Sequence, residues 1–224
     1  MRRIVMFNRI TLEGYFAGAD GSWQGLTVPD PALDEEASKG PEIDTILLGR
    51  RTYQILEPFW SHALDNPNLT PAMRDMAIAL NQNTKLVFSR TLKEARWINS
   101  HILREFNPDE IQTLKRGPGK DIIVLGSGSI VSQLTQYGLI DEYQFIVSPL
   151  LLGSGRPLLS GVTRGMPLQL REAKAYPSGN VMLRYGRRAE AGPGSGPLQN
   201  ERQRTPAGVN AKAESAKSKP RAPS

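Results

Sequence analysis

The 224 residues contain no cysteine, which removes disulfides, thiolate metal sites and a cysteine nucleophile together. Histidine is nearly absent too. His62 and His101, the only two, lack partners at ligand or triad spacing and read as structural or exposed side chains, so histidine-based chemistry has little to work with. Long apolar runs are missing. The opening MRRIVMFNRI is interrupted at Asn8 and Arg9, too short for a signal peptide or a membrane span, and a cytoplasmic protein is the expectation. From residue 187 onward there is no aromatic residue and only scattered aliphatics among Gly, Pro, Ser, Ala and charges. Such a segment cannot bury enough apolar surface to offset its ordering entropy, so residues 187–224 are expected to be a disordered tail. The tail carries +5 of the formal net charge of +6, which leaves residues 1–186 close to neutral. A basic surface for nucleic acid would rest on that sparse tail alone, which argues against nucleic acid as a partner.

What is present is an α/β pattern, centred on residues 121–155. Ile122 to Leu125 form an apolar run too short for a helix, as in a strand buried on both faces of a parallel sheet. Gly126-Ser127-Gly128-Ser129 then turns the chain. Ile130, Leu134 and Tyr137 follow at helical spacing, Gly138 closes the helix, and a second strand runs from Glu142 to Pro149. A helix beginning after such a turn aims free N–H groups and its positive dipole end at an anion. The motif is incomplete as a dinucleotide fingerprint, because Val131 stands where a third glycine would be.

Other elements repeat the theme. Strands are expected at residues 3–7, 43–48, 85–88 and, more weakly, 95–98. Helices are expected after Pro31, from Arg50 to Pro58, from Pro71 to Leu80 and after Asn107. Residues 60–71 read as an irregular loop beside a pocket. Residues 168–175 and 181–185 flank a short turn and predict a C-terminal antiparallel hairpin on a mainly parallel sheet.

Ligands of open α/β sheets bind beyond the C-terminal ends of the strands. Three strands end in residues suited to an anionic ligand: Gly49-Arg50-Arg51-Thr52, Ser89-Arg90-Thr91 and Gly126-Ser127-Gly128-Ser129. Glycines admit close backbone approach, hydroxyls donate, and guanidinium groups form charge-assisted bonds to phosphate. Tyr15, Phe16, Trp23, Phe59 and Trp60 are candidate walls for a flat heterocycle, and Arg156 reads as a surface or loop-fixing residue.

In this order, these motifs resemble the dihydrofolate reductase-like family. The nearer resemblance is to the reductase domain of the riboflavin-biosynthesis deaminase-reductase and its stand-alone relatives. Those relatives open with S-L-D-G-Y/F-I-A-G, here residues 11–18 as TLEGYFAG, and carry a late P-x-L-L-G-x-G, here residues 149–155 as PLLLGSG. The resemblance covers residues 1–186 and implies a three-layer dihydrofolate reductase-like fold. It also implies NADPH as hydride donor, a small heterocyclic substrate and a homodimer. Gly49, Arg50, Arg51 and Thr52 would hold the diphosphate and adenosine side, Ser89 and Arg90 the 2'-phosphate, and Gly126, Ser127, Gly128, Ser129 and Ile130 the diphosphate at the helix start. Leu12, Glu13, Gly14 and Tyr15 would lie against the substrate. Glu13 stands where the relatives have Asp, and it is the candidate proton donor or else a carboxylate that fixes the loop. The zinc-deaminase residues that accompany the reductase in the bifunctional protein need cysteines, and this sequence has none. Two functions are therefore expected in competition: a reductase, and a non-catalytic module that kept the nucleotide cradle.

Overall fold

The computed structural model describes residues 1–38, 40 and 42–188. The expected tail therefore lies outside the described residues, apart from Arg187 and Arg188 at its start. Ten strands and five helices alternate: β1 (Ile4–Ile10), β2 (Tyr15–Ala17), α1 (Pro31–Ser38), β3 (Ile43–Gly49), α2 (Arg50–Trp60), α3 (Pro71–Gln82), β4 (Thr84–Phe88), β5 (Ser100–Leu103), α4 (Pro108–Arg116), β6 (Asp121–Leu125), α5 (Gly128–Gln136), β7 (Glu142–Val147), β8 (Arg156–Pro157), β9 (Leu168–Ala175) and β10 (Val181–Arg187). Eight strands form one sheet in the order β5-β4-β3-β6-β1-β7-β10-β9, and β2 pairs with β8 apart from it. The first six are parallel, and β10 and β9 return antiparallel as the expected hairpin.

Alternation along the strands builds three layers. Leu47 of β3 joins Met6 and Val124 on one face, where Ile111 of α4 and Ile130, Val131 and Leu134 of α5 cover them. Ile46 and Leu48, its neighbours, point to the other face and meet Tyr53 of α2, Leu80 of α3 and Trp97. On that second face Leu33 of α1 packs with Ile146, Tyr176 and Met182. Central strands buried on both sides explain the continuous apolar runs.

Three expectations on elements are corrected. Residues 95–98 are not a strand; β5 begins at Ser100. Trp97 is buried instead, its backbone N–H bound to Tyr53 Oη at 2.9 Å and its indole N–H to Asn81 Oδ1 at 2.8 Å, and Asn99 turns the chain at φ +58°. Tyr137 does not share the apolar face of α5. It is 58% exposed at the end of that helix, stacked on Phe106, while Val131 takes the buried position. Pro58 does not end α2, which continues to Trp60.

Lys85 makes the fold pH-sensitive. Its side chain is fully buried, Nζ donates to Leu80 O at 2.6 Å and Asn83 O at 2.8 Å at the end of α3, and it lies over the Trp97 ring. Among the described residues no carboxylate offsets its burial, which lowers its pKa from 10.5 to about 8. Above pH 8 the folded chain has released this proton while the unfolded chain keeps it until about pH 10.5. Stability is therefore expected to rise between pH 8 and 10, by about 2 kcal/mol at roughly 1.4 kcal/mol per pH unit. Above pH 10 the buried tyrosines Tyr53 and Tyr143, whose pKa values burial raises, act in the opposite direction because only the unfolded chain ionises them freely. Urea melts at pH 8, 9 and 10 check this, and Lys85→Met is expected to abolish the rise.

Candidate functional site

Beyond the C-terminal ends of β3, β4 and β6 the structure opens a cavity of about 1010 Å³, at the upper end of the sizes that take small ligands. All three strand-end motifs meet there. Gly49, Arg50, Arg51 and Thr52 border it, as do Ser89 and Arg90, and Ser127, Gly128, Ser129 and Ile130. Helices α2 and α5 both present their N-terminal turns to it, so amide groups without intrahelical partners line its floor. Five arginines surround it, namely Arg50, Arg51, Arg90, Arg104 and Arg156, against one carboxylate, Glu105. Among the described residues none of the five forms an ion pair.

The hydroxyls at the strand ends are largely engaged within the protein. Ser127 Oγ accepts the Gly49 N–H at 2.8 Å and lies 2.9 Å from Thr52 Oγ1, so one buried side chain ties the β3–α2 turn to the β6–α5 turn. It does so from a left-handed backbone, φ +59° and ψ +79°, a strained position for a residue with a β carbon. Gly126 cannot carry a side chain, because a β carbon would lie 2.9 Å from Thr52 Oγ1 at φ +60°. Ser89 Oγ accepts the N–H groups of Thr91 and Leu92 and shapes the turn that presents Arg90. Arg104 braces that turn by donating to Ser89 O at 3.2 Å and Leu92 O at 2.6 Å. What remains open to a ligand is backbone N–H and guanidinium chemistry, together with the hydroxyls of Thr91, Ser129 and Ser160, which also border the cavity.

The four residues expected against substrate lie elsewhere. Leu12, Glu13, Gly14 and Tyr15 form a tight turn in which Thr11 Oγ1 accepts the N–H of Glu13 and of Tyr15, and none of the four borders the cavity. Both Glu13 oxygens are occupied, accepting the Leu152 N–H at 2.6 Å and the Gly153 N–H at 2.9 Å. The opening and late motifs are thus one piece of structure. Gly155 fits beneath Tyr15, where a β carbon would lie 2.7 Å from the ring.

Of the candidate aromatic walls, Phe16 and Trp23 border the cavity, whereas Tyr15, Phe59 and Trp60 do not, nor does the loop of residues 60–71. Two arginines were not read from the sequence as site residues. Arg104 follows β5, and with that strand expected at 95–98 its strand-end position was hidden. Arg156 starts β8 and reaches the cavity only because β8 pairs with β2.

A mainly parallel sheet with helices on both faces, an antiparallel last hairpin and strand ends gathered around one cavity define a dihydrofolate reductase-like fold. Residues 2–183 match the RibD C-terminal domain family, and the chain belongs to it. It is thus a reductase-like domain of the RibD type. YyaP of Bacillus subtilis (strain 168) is 30% identical over 189 residues, which cover 82% of this chain and 94% of that protein. The Thermotoga maritima diaminohydroxyphosphoribosylaminopyrimidine deaminase/5-amino-6-(5-phosphoribosylamino)uracil reductase has a similar fold at 14% identity and a TM-score of 0.57, over 83% of this chain and 56% of the longer one. Dihydrofolate reductase from Enterococcus faecalis, solved with NADP(H), follows at 12% identity and a TM-score of 0.53, over 84% of this chain and 97% of that one. No helix among the described residues is long and apolar enough to cross a membrane.

Proposed function

We propose that this domain is an NADPH-dependent reductase of a small heterocycle, either a ribosylaminopyrimidine of the riboflavin pathway or a pterin. The observation that carries the reading is the cavity itself, with two helix N-termini and five arginines around it that form no ion pair among the described residues. That donor set fits a dinucleotide with an additional phosphate. The N-terminal turns of α2 and α5 and Arg50 would hold the diphosphate, and Arg90, presented by the Ser89 turn, the 2'-phosphate. When bound, the cofactor would supply hydride to a C=N or C=O carbon. The chain's own part is to orient the partners, exclude water with Phe16 and Trp23, and let a proton reach the reduced heteroatom.

Glu13 fits this account as a positioning residue. With both oxygens on backbone N–H groups it fixes the loop of residues 150–153, and bound water is then the proton source. Glu13→Gln is expected to keep the pH profile of turnover and lower its rate about tenfold, because an amide oxygen can accept only in part what the carboxylate accepts twice. A change of pH profile in that variant would instead make Glu13 the acid. Among the described residues the sheet has two open edges, β5 and β9, and β9, with Leu170 half exposed, is the edge offered here to a second copy in a homodimer.

The engaged Glu13 also favours a second reading, a binding module that keeps the nucleotide and has lost turnover. Steady-state oxidation of NADPH by the purified chain, with a panel of pterins and ribosylaminopyrimidines, separates the two. The reductase reading predicts substrate-dependent oxidation with at least one member. Tight NADPH binding without oxidation across the panel would favour the module.

A further inference from the structure

In the last three strands of the sheet, β7, β10 and β9, the polar and apolar faces are exchanged. The register sets Val147 beside Val181 and Val181 beside Ala175, Leu183 beside Ala173 and Tyr185 beside Leu170. Val147, Val181, Leu183, Leu170, Ala173 and Ala175 therefore share one face. The other face, on which Leu33 of α1 packs against Met182, holds the charges. There Arg184 meets Glu172 at 2.9 Å and Glu36 of α1 at 3.8 Å, and Lys174 pairs with the same Glu36. A half-solvated antiparallel sheet ordinarily has the reverse arrangement, with apolar residues under the helix and charges in water.

The six apolar side chains are left without a cover among the described residues. Leu170 is 51% exposed, Ala173 and Ala175 are exposed, and Val147, Val181 and Leu183 are half-buried. None of the six is packed into the three cores, although Phe145 and Tyr185 on the same face join the first of them. The patch runs about 13 Å along the strands and about 10 Å across them, which with a side-chain width at its margins is roughly 300 Å². That is the size of the apolar centre of an interface burying about 800 Å² per partner.

We infer that this face of β7, β10 and β9 is where a second copy of the chain docks, sheet against sheet. The charge pattern selects the occupant. A twofold contact sets a patch against its own copy, so any charge within it would meet its like. These six residues carry none, whereas the α1 side of the same strands concentrates four charged groups, Glu36, Glu172, Lys174 and Arg184. A regular antiparallel face with alanines at its margin also lets two sheets approach to the usual spacing of about 10 Å. The inference rests on the homodimer reading and deepens it, placing the contact on the face that adjoins the β9 edge.

Sedimentation of the full-length chain over a range of micromolar concentrations tests it. Wild type is expected to be a dimer. Ala173→Glu and Leu170→Glu put a charge into the patch at exposed positions, so circular dichroism should be unchanged while the dimer dissociation constant rises at least tenfold. Gln169→Glu adds the same charge to an exposed position of the same strand on the opposite face, and it is expected to leave the dimer intact. A wild-type dimer that tolerates both patch variants would overturn the docking face and leave the homodimer reading in place. Equal loss in Gln169→Glu would also overturn it, because pairing along the β9 edge is exposed to charge on either face. A wild type that stays monomeric at every concentration would remove the homodimer reading and this inference together.

Discussion

Gly49→Ala is expected to destabilise the domain by about 3 kcal/mol or more and to abolish binding in the cavity. The backbone is not the obstacle, since Gly49 has φ −86° and ψ 162°, which alanine adopts freely. The obstacle is Ser127, whose Oγ and Cβ occupy the place of the new methyl group. To make room Ser127 would have to swing out of its bonds to the Gly49 N–H and Thr52. Both turns that face the cavity would then loosen together, and overpacking of this kind costs roughly 1–3 kcal/mol before the buried N–H of Gly49 loses its acceptor. A second substitution separates this account from a generic intolerance at Gly49. Gly49→Ala combined with Ser127→Gly frees the space and relieves the left-handed strain at position 127, so it is expected to recover at least half of the lost stability in urea melts. It would still lack the hydroxyl bridge. A double variant no more stable than Gly49→Ala alone would show that the collision is not what makes glycine necessary.

The second large effect is expected at Lys115, in the last turn of α4. The residue is 2% exposed, and Nζ donates to Leu139 O at 2.8 Å and Asp141 Oδ2 at 2.6 Å. The same Asp141 oxygen accepts the Ile4 N–H at 2.8 Å, so one carboxylate joins α4, the start of β1 and the turn that leads into β7. Lys115→Met keeps the volume but leaves the carbonyl and the carboxylate short of a donor. Removing one member of a buried pair costs roughly 3–5 kcal/mol, and partial exposure of Asp141 places this site near 3 kcal/mol. Asp141→Asn, which can still accept from Ile4, is expected to cost less. Chemical denaturation of the two single variants and the double variant checks the ranking, with the double loss smaller than the sum of the single losses.

The sheet was largely legible in the sequence because its central strands are buried on both faces, and runs such as TILL and IIVL admit few other readings. The strand-end motifs were legible for a related reason, since glycine, arginine and hydroxyl residues immediately after an apolar run have few purely structural uses in combination. What was hidden is long-range. Residues 95–98 look like a strand because Trp97 and Ile98 are apolar, yet Trp97 is apolar for packing on Tyr53 and Lys85, contacts that no local pattern reveals. That one shift also concealed Arg104. Ser127 reads as an anion ligand in sequence, and only the fold shows its hydroxyl engaged with Gly49 and Thr52, 78 and 75 residues away. Glu13 is a similar case, its two oxygens accepting from Leu152 and Gly153, 139 and 140 residues further on.

The central claim is that the arginine-ringed cavity takes a 2'-phosphorylated dinucleotide. The most direct measurement is a titration of the full chain with NADPH and with NADH, followed by quenching of tryptophan fluorescence, Trp23 being at the cavity wall. Wild type is expected to prefer NADPH by at least tenfold, and Arg90→Ala to lose most of that preference while NADH binding is little changed, the signature of a lost phosphate contact. A folded wild type that binds neither nucleotide, or binds both equally with no effect of Arg90→Ala, would contradict the claim.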